Sequence, residues 1–96
     1  MNSNNLTIDS IINMLKTYIK TNDFSLITDS FNYVKSFISD INTLNDYLEV
    51  ASILTTVYAD IETISASFLY NLLVLEKVDE NTLREKFGQE ITHLIV

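Results

Sequence analysis

The sequence contains no cysteine, no proline, no tryptophan and a single glycine, Gly88. Without cysteine it has neither a disulfide framework nor a thiolate metal site. With one glycine and no proline it almost lacks the turn residues that a sheet protein needs every few positions. Positive charge is scarce as well. Lys and Arg number 6 against 13 Asp and Glu, a formal net charge of −7. The six cations are scattered, at Lys16, Lys20, Lys35, Lys77, Arg84 and Lys86, so no basic stripe forms. A negative field repels phosphate backbones and anionic lipid heads, which argues against nucleic acid, a membrane surface or a free nucleotide polyphosphate as ligand. The longest mostly apolar run, residues 66–75, is well short of the roughly 20 residues that span a bilayer. Residues 1–6 are polar and do not resemble a secretory leader. These absences together lead to the expectation of a cytoplasmic protein.

What is present is helical periodicity. The 96 residues, 47% hydrophobic, suffice for one domain over 1–96 with a single core. Such a domain buries roughly two-thirds of the surface its unfolded chain exposes. A first helix is expected over residues 7–21, where Ile8, Ile11, Ile12, Leu15, Tyr18 and Ile19 follow the helical repeat, with Thr7 or Asn5 as cap. A second is expected over 24–39, with Ile27, Phe31, Val34, Ile38 and Ile41 inward and a loop over 40–43. A third should start at Leu44 with Thr43 as cap. Its stripe is Leu44, Tyr47, Leu48, Ala51, Leu54 and Tyr58, widened by Val50 and Val57.

Asp60 caps the fourth helix, which should run over about 61–76. Ile61, Ile64, Phe68, Leu72 and Leu75 lie on one face, and Leu69, Leu73 and Val74 fill most of the rest. A helix apolar nearly all round is the buried central one. Thr82 and Glu85 form a T-x-x-E capping box for a short fifth helix, and Gly88 ends it as a left-handed cap. A sixth starts at Gln89 with Ile91, Leu94 and Ile95 inward. Its apolar last turn suggests the N-terminal part of something longer. The fold expected is all-α, a compact bundle of five to six helices.

The second half carries a recognisable order of motifs. Leu48-Glu49-Val50-Ala51-Ser52-Ile53-Leu54 precedes Asp60-Ile61-Glu62-Thr63-Ile64 and then Ser67-Phe68-Leu69-Tyr70-Asn71. After a short link come Thr82-Leu83 and Phe87-Gly88-Gln89-Glu90-Ile91. This layout resembles the N-terminal, HD-type hydrolase domain of the RelA/SpoT family, which makes and hydrolyses the alarmones (p)ppGpp. The family text runs H-P-L-x-V-A-x-I-L, D-x-x-T-I-x-A-x-L-L-H-D-x-x-E-D, T-L, F-G-x-E-V. Asp23-Phe24 through Tyr33-Val34 resembles the family's second helix, so most of the chain is covered.

The resemblance also shows what has been replaced. The His-Asp metal pair falls on Tyr70 and Asn71, and the catalytic Glu-Asp one turn later falls on Val74 and Leu75. The ligand His before P-L falls on Asp46, and the Pro on Tyr47; a further ligand His falls near Phe37 or Ile38. The basic Arg-Lys-Ser-Gly loop is replaced by residues 39–45. A hydrolytic metal needs several His or carboxylate ligands and an open position for water. A phenol is a poor ligand at neutral pH, an amide is a weak one, and two aliphatic side chains move no proton. The resemblance thus implies a shell whose pocket is plugged by apolar and aromatic groups, with Tyr70 as a core aromatic. No cofactor and no catalytic metal are expected.

Other candidates are weaker. Glu90 and His93 make one E-x-x-H, where carboxylate-bridged di-metal bundles need two and two further Glu. Asp46 and Asn71 together offer too few oxygens for Mg²⁺ or Ca²⁺. The expected role is a catalytically inactive, regulatory or scaffolding module of a RelA/SpoT-type protein. Its partner would be a downstream synthetase domain or another subunit. The alternative is a stand-alone helical interaction or homo-oligomerisation module.

Overall fold

The computed structural model describes residues 6–95. The Asn5 alternative for the first cap, the reading of residues 1–5 and the Val96 end of the last helix lie outside the described residues. The chain is all-helical, with α1 Ile8–Leu15, α2 Ser25–Lys35, α3 Ile41–Thr56, α4 Ile61–Val74, α5 Glu80–Phe87 and α6 Gln89–Ile95. Among the described residues no helix is long and apolar enough to cross a membrane.

Helix α4 is central. It packs against α2, α3 and α6, while α1 leans on α2 and α3, and α5 on α6. Ile64, Phe68, Leu69 and Leu72 are fully buried on it. They meet Ile11 and Leu15 of α1, Ile27, Phe31 and Val34 of α2, Leu48 and Ala51 of α3, Leu83 of α5 and Ile91 of α6 in one core. Phe68 sits against Phe31 with ring centroids 5.2 Å apart. Each buried aliphatic or aromatic side chain of this kind contributes roughly 1.5–3 kcal/mol relative to exposure.

Three helices open with the same device. Asp40 accepts from the amide and hydroxyl of Thr43 at 3.0 and 2.6 Å. Asp60 accepts from the amide of Thr63 at 2.8 Å, and Asp79 from the amide and hydroxyl of Thr82, both at 2.8 Å. Each D-x-x-T tetrapeptide satisfies an amide that has no partner within its own helix. At α1, Thr7 and Ser10 cap reciprocally. Two expected starts therefore move. α3 begins at Ile41 because Asp40 takes the cap expected of Thr43, so residues 40–43 form a first turn rather than a loop. α5 begins at Glu80 because Thr82 donates to Asp79 instead of serving in a box with Glu85.

The helix ends differ as well. α1 stops at Leu15 rather than near Thr21. The Thr17 hydroxyl donates to the Met14 carbonyl at 2.6 Å, a local bond that competes with helix continuation. The Tyr18 hydroxyl donates to the Ala59 carbonyl at 2.6 Å, drawing the next turn toward the α3–α4 corner. α2 ends at Lys35, and the Ser36 hydroxyl donates back to the Tyr33 carbonyl at 2.6 Å. α3 and α4 both end in a left-handed residue that is not glycine, Tyr58 at φ 60° and Glu76 at φ 57°. After each, an amide reaches back five residues, Ala59 to Leu54 at 3.1 Å and Lys77 to Leu72 at 2.8 Å. This pattern satisfies orphan carbonyls but normally uses glycine. Gly88 has φ 98° and ψ 165°, so it is a positive-φ cap lying outside the left-handed helical region expected of it.

Glu76→Gly should raise stability by roughly 1 kcal/mol, since the left-handed strain relieved exceeds the added freedom of the unfolded chain. Chemical denaturation measures this, and an unchanged or lowered midpoint contradicts it. A second expectation concerns acid. Hydroxyl and amide donors hold the carboxyls of Asp23, Asp40, Asp60 and Asp79 below their usual range. The unfolded chain therefore binds protons first. The contribution of these groups is complete above about pH 4 and is lost as pH falls below it toward the depressed folded values. Helical circular dichroism should begin to fall in that window, and replacing Asp60 by Asn should flatten the fall.

Candidate functional site

A groove of about 530 Å³ lies between α3, α4 and α6. Its floor is built from small side chains of α4, Thr63, Ala66 and Ser67, spaced so that they share one side of the helix. Tyr47, Val50 and Leu54 of α3 form one wall, and Leu94 and Ile95 of α6 the other. Tyr70 and Asn71 complete the lining. The structure thus brings Tyr70 and Asn71 together with Tyr47, the neighbour of Asp46. Asp46 itself is exposed on α3 and is not part of the lining.

The aromatic and aliphatic positions are not core. Tyr70 is 51% exposed, Val74 57% and Leu75 49%. This corrects the expectation of a pocket plugged by buried side chains. The physical reason is geometric. α4 has neighbours on α2, α3 and α6 only along part of its circumference, so the apolar stripe beyond Asn71 runs out past its partners. The same holds elsewhere. Tyr58, Val50 and Val57 of the α3 stripe, Ile41 at its start, and Leu94 of α6 are exposed rather than inward.

The polar groups in the groove are few and largely engaged. The Asn71 side-chain amide donates to the carbonyls of Ser67 at 2.9 Å and Phe68 at 3.2 Å, turned back on its own helix. The Ser67 hydroxyl donates to the Ile64 carbonyl at 2.7 Å. Burial, and next to it the charge of Asp46, push the phenol of Tyr47 above its usual pKa, so it stays protonated at neutral pH. The lining includes no His, Asp or Glu. Glu90 and His93 are exposed on α6, and no group of three or more potential metal ligands occurs among the described residues. Phe37, near one replaced ligand position, packs edge-on against Tyr33 at 5.1 Å, and Ile38 is buried in the core.

No protein-family model, curated protein or solved structure matches this chain.

Sequence reasoning missed the outer face of α3. Val50, Ile53 and Val57 are 50%, 64% and 68% exposed and continue the groove wall outward. The signal was available, because Asp46, Val50, Ile53 and Val57 recur at intervals of four, three and four and so share one side of a helix. A helix with two apolar stripes has a second surface, and Val50 and Val57 belong to that surface rather than widening the first stripe.

Tyr70→Ala should cost under about 1 kcal/mol, as expected for an exposed side chain. Phe68→Ala, on the buried side of the same helix, should cost about 3–5 kcal/mol. Paired urea titrations give both numbers, and equal losses would return Tyr70 to the core.

Proposed function

We propose that this protein is a catalytically inactive counterpart of the RelA/SpoT hydrolase module and acts in alarmone metabolism through the surfaces it presents. The observation carrying this reading is that Tyr70 and Asn71, which stand where the resemblance puts the metal pair, line one groove whose lining has no His, Asp or Glu. A shared groove is what a former catalytic pocket requires; of the other former-site positions, Asp46, Val74 and Leu75 lie outside the lining, with Tyr47, the neighbour of Asp46, inside it. A hydrolase of this type would need His or carboxylate side chains to hold a metal and activate water. The groove offers a phenol pair, an amide and aliphatic walls.

In this reading the module works in the cytoplasm and biases a synthetase domain, in the same polypeptide or another subunit, by packing against it. Joining the chain to its native downstream sequence and assaying (p)ppGpp synthesis with and without residues 1–96 tests the idea. A changed rate or changed regulation is expected, and identical behaviour removes it. (p)ppGpp incubated with the chain and Mn²⁺ should release no pyrophosphate, and measurable release overturns the inactive assignment.

A second reading, a free-standing helical interaction module, draws on the exposed apolar face of α3. Contiguous exposed apolar surface marks interaction sites. This reading needs no alarmone context, and a chain that leaves synthesis unchanged yet binds a partner through α3 would favour it.

A further inference from the structure

We infer that the α3–α4–α6 groove seats a positively charged amphipathic helix of a partner protein. The inference deepens the reading above, since it rests on the chain acting through contacts, and it names the partner's chemistry.

Charge distribution carries it. From Ser36 to Glu76 the chain has no Lys or Arg, while Asp40, Asp46, Glu49, Asp60, Glu62 and Glu76 are acidic. α6 adds Glu90 and no Lys or Arg. The remaining residues hold Asp9, Asp23, Asp29, Asp79, Glu80 and Glu85 against all six cations. The entire net charge of −7 therefore belongs to the helices that frame the groove and their flanks, and the rest of the molecule is formally neutral. Three of the six cations are also occupied against rings, Lys16 over Phe24, Lys35 over Phe31 and Lys86 over Tyr33. Of these acids, Asp46 stands one turn before Val50 on the same side of α3 and Glu90 one turn before Leu94 on α6, while Asp60 and Glu62 line a cleft with Ile19 and Leu26, and Glu76 one with Phe37 and Thr82. Carboxylates beside an apolar floor complement Lys and Arg flanking an apolar stripe.

Shape selects a helix. Small side chains at Thr63, Ala66 and Ser67 let another backbone approach α4, and Val50 and Leu94 stand as walls for side chains at helical spacing. The apolar surface continues along α3 through Ile53 and Val57, as an elongated ligand would need. A small polar ligand fits less well, because the Asn71 donors are already spent on backbone carbonyls. A second copy of this chain is disfavoured by the same charges. Face to face it would set Asp46 and Glu90 against acids of the same kind, and residues 36–76 and α6 have no Lys or Arg to pair with them. Anionic lipid is repelled for the same reason.

The test uses the whole chain and two synthetic peptides of about 20 residues. Both carry Leu and Ile at helical spacing on one face. One has Lys on the remaining positions and the other has Glu. Binding is read by fluorescence anisotropy, and the contact surface by amide and methyl chemical shifts. The Lys peptide should bind, shifting Val50, Ile53, Ala66 and Leu94. The Glu peptide should bind at least about tenfold more weakly. Affinity for the Lys peptide should fall on the order of tenfold between low salt and about 0.5 M. Ile53→Asp and Leu94→Asp, both at exposed positions and checked for retained helicity, should each weaken it by about tenfold or more. Equal binding of the two peptides, shifts mapping to α2 or α5, or no binding of either, overturns the inference. So does a dimer in sedimentation that Ile53→Asp dissolves, which would assign the face to a second copy. Failure of the peptides with a preserved effect on alarmone synthesis sinks this inference alone, and the converse pattern sinks only the alarmone reading.

Discussion

Everything in this molecule is arranged around the burial of one helix. α4 places Ile64, Phe68, Leu69 and Leu72 out of solvent, and α2, α3 and α6 are positioned by contact with it. The Phe68–Phe31 pair joins it to α2, and the remaining core residues close around that pair. The Ser65 hydroxyl is the exception, buried on α4 without a hydrogen-bond partner. Such a group costs stability when left unpaired, so the helix is held in spite of it by apolar packing. The constraint is also incomplete. Partners cover only part of α4, and the uncovered part is where the groove lies.

The fold class was legible because periodicity and the absence of turn residues act together over long segments. The start of α4 at Asp60 was readable from its cap. The starts of α3 and α5 were not, because Thr43 and Thr82 are themselves acceptable caps and the upstream Asp wins each competition through two donors at once. Asp40, Asp60 and Asp79 repeat one tetrapeptide pattern, and comparing the three would have fixed two boundaries. The ends of α3 and α4 carried no signal, since Tyr58 and Glu76 take a backbone conformation that sequence rules reserve for glycine. Tertiary contact accounts for the first of these. Tyr58 lies edge-on to Tyr18 at 5.2 Å, and Tyr18 is itself bonded to Ala59.

The candidate site was legible only in part. Motif order brought attention to Tyr70 and Asn71, and these line the groove with Tyr47. Their exposure was not legible, because apolar residues on nearly every side of α4 read equally as a fully buried helix and as one with an unpartnered face. Hydrophobic pattern records which side chains avoid water when they have the chance. It does not record whether the fold supplies a neighbour. Asp46 shows the same limit: it lies beside Tyr47 in sequence, yet falls outside the lining because the next position turns by about 100° around the helix.

The stretch from residue 36 to residue 76 carries six acids and no Lys or Arg, and α6 adds one acid more, so the negative charge is concentrated in two parts of the chain. A charged body approaching through solution feels that asymmetry before any surfaces touch. A basic helix of the kind proposed above would be drawn toward that part of the molecule while still at a distance, and negatively charged bodies would be turned away. Encounters with such a helix would be pre-oriented, and the frequency of productive collisions would depend on ionic strength.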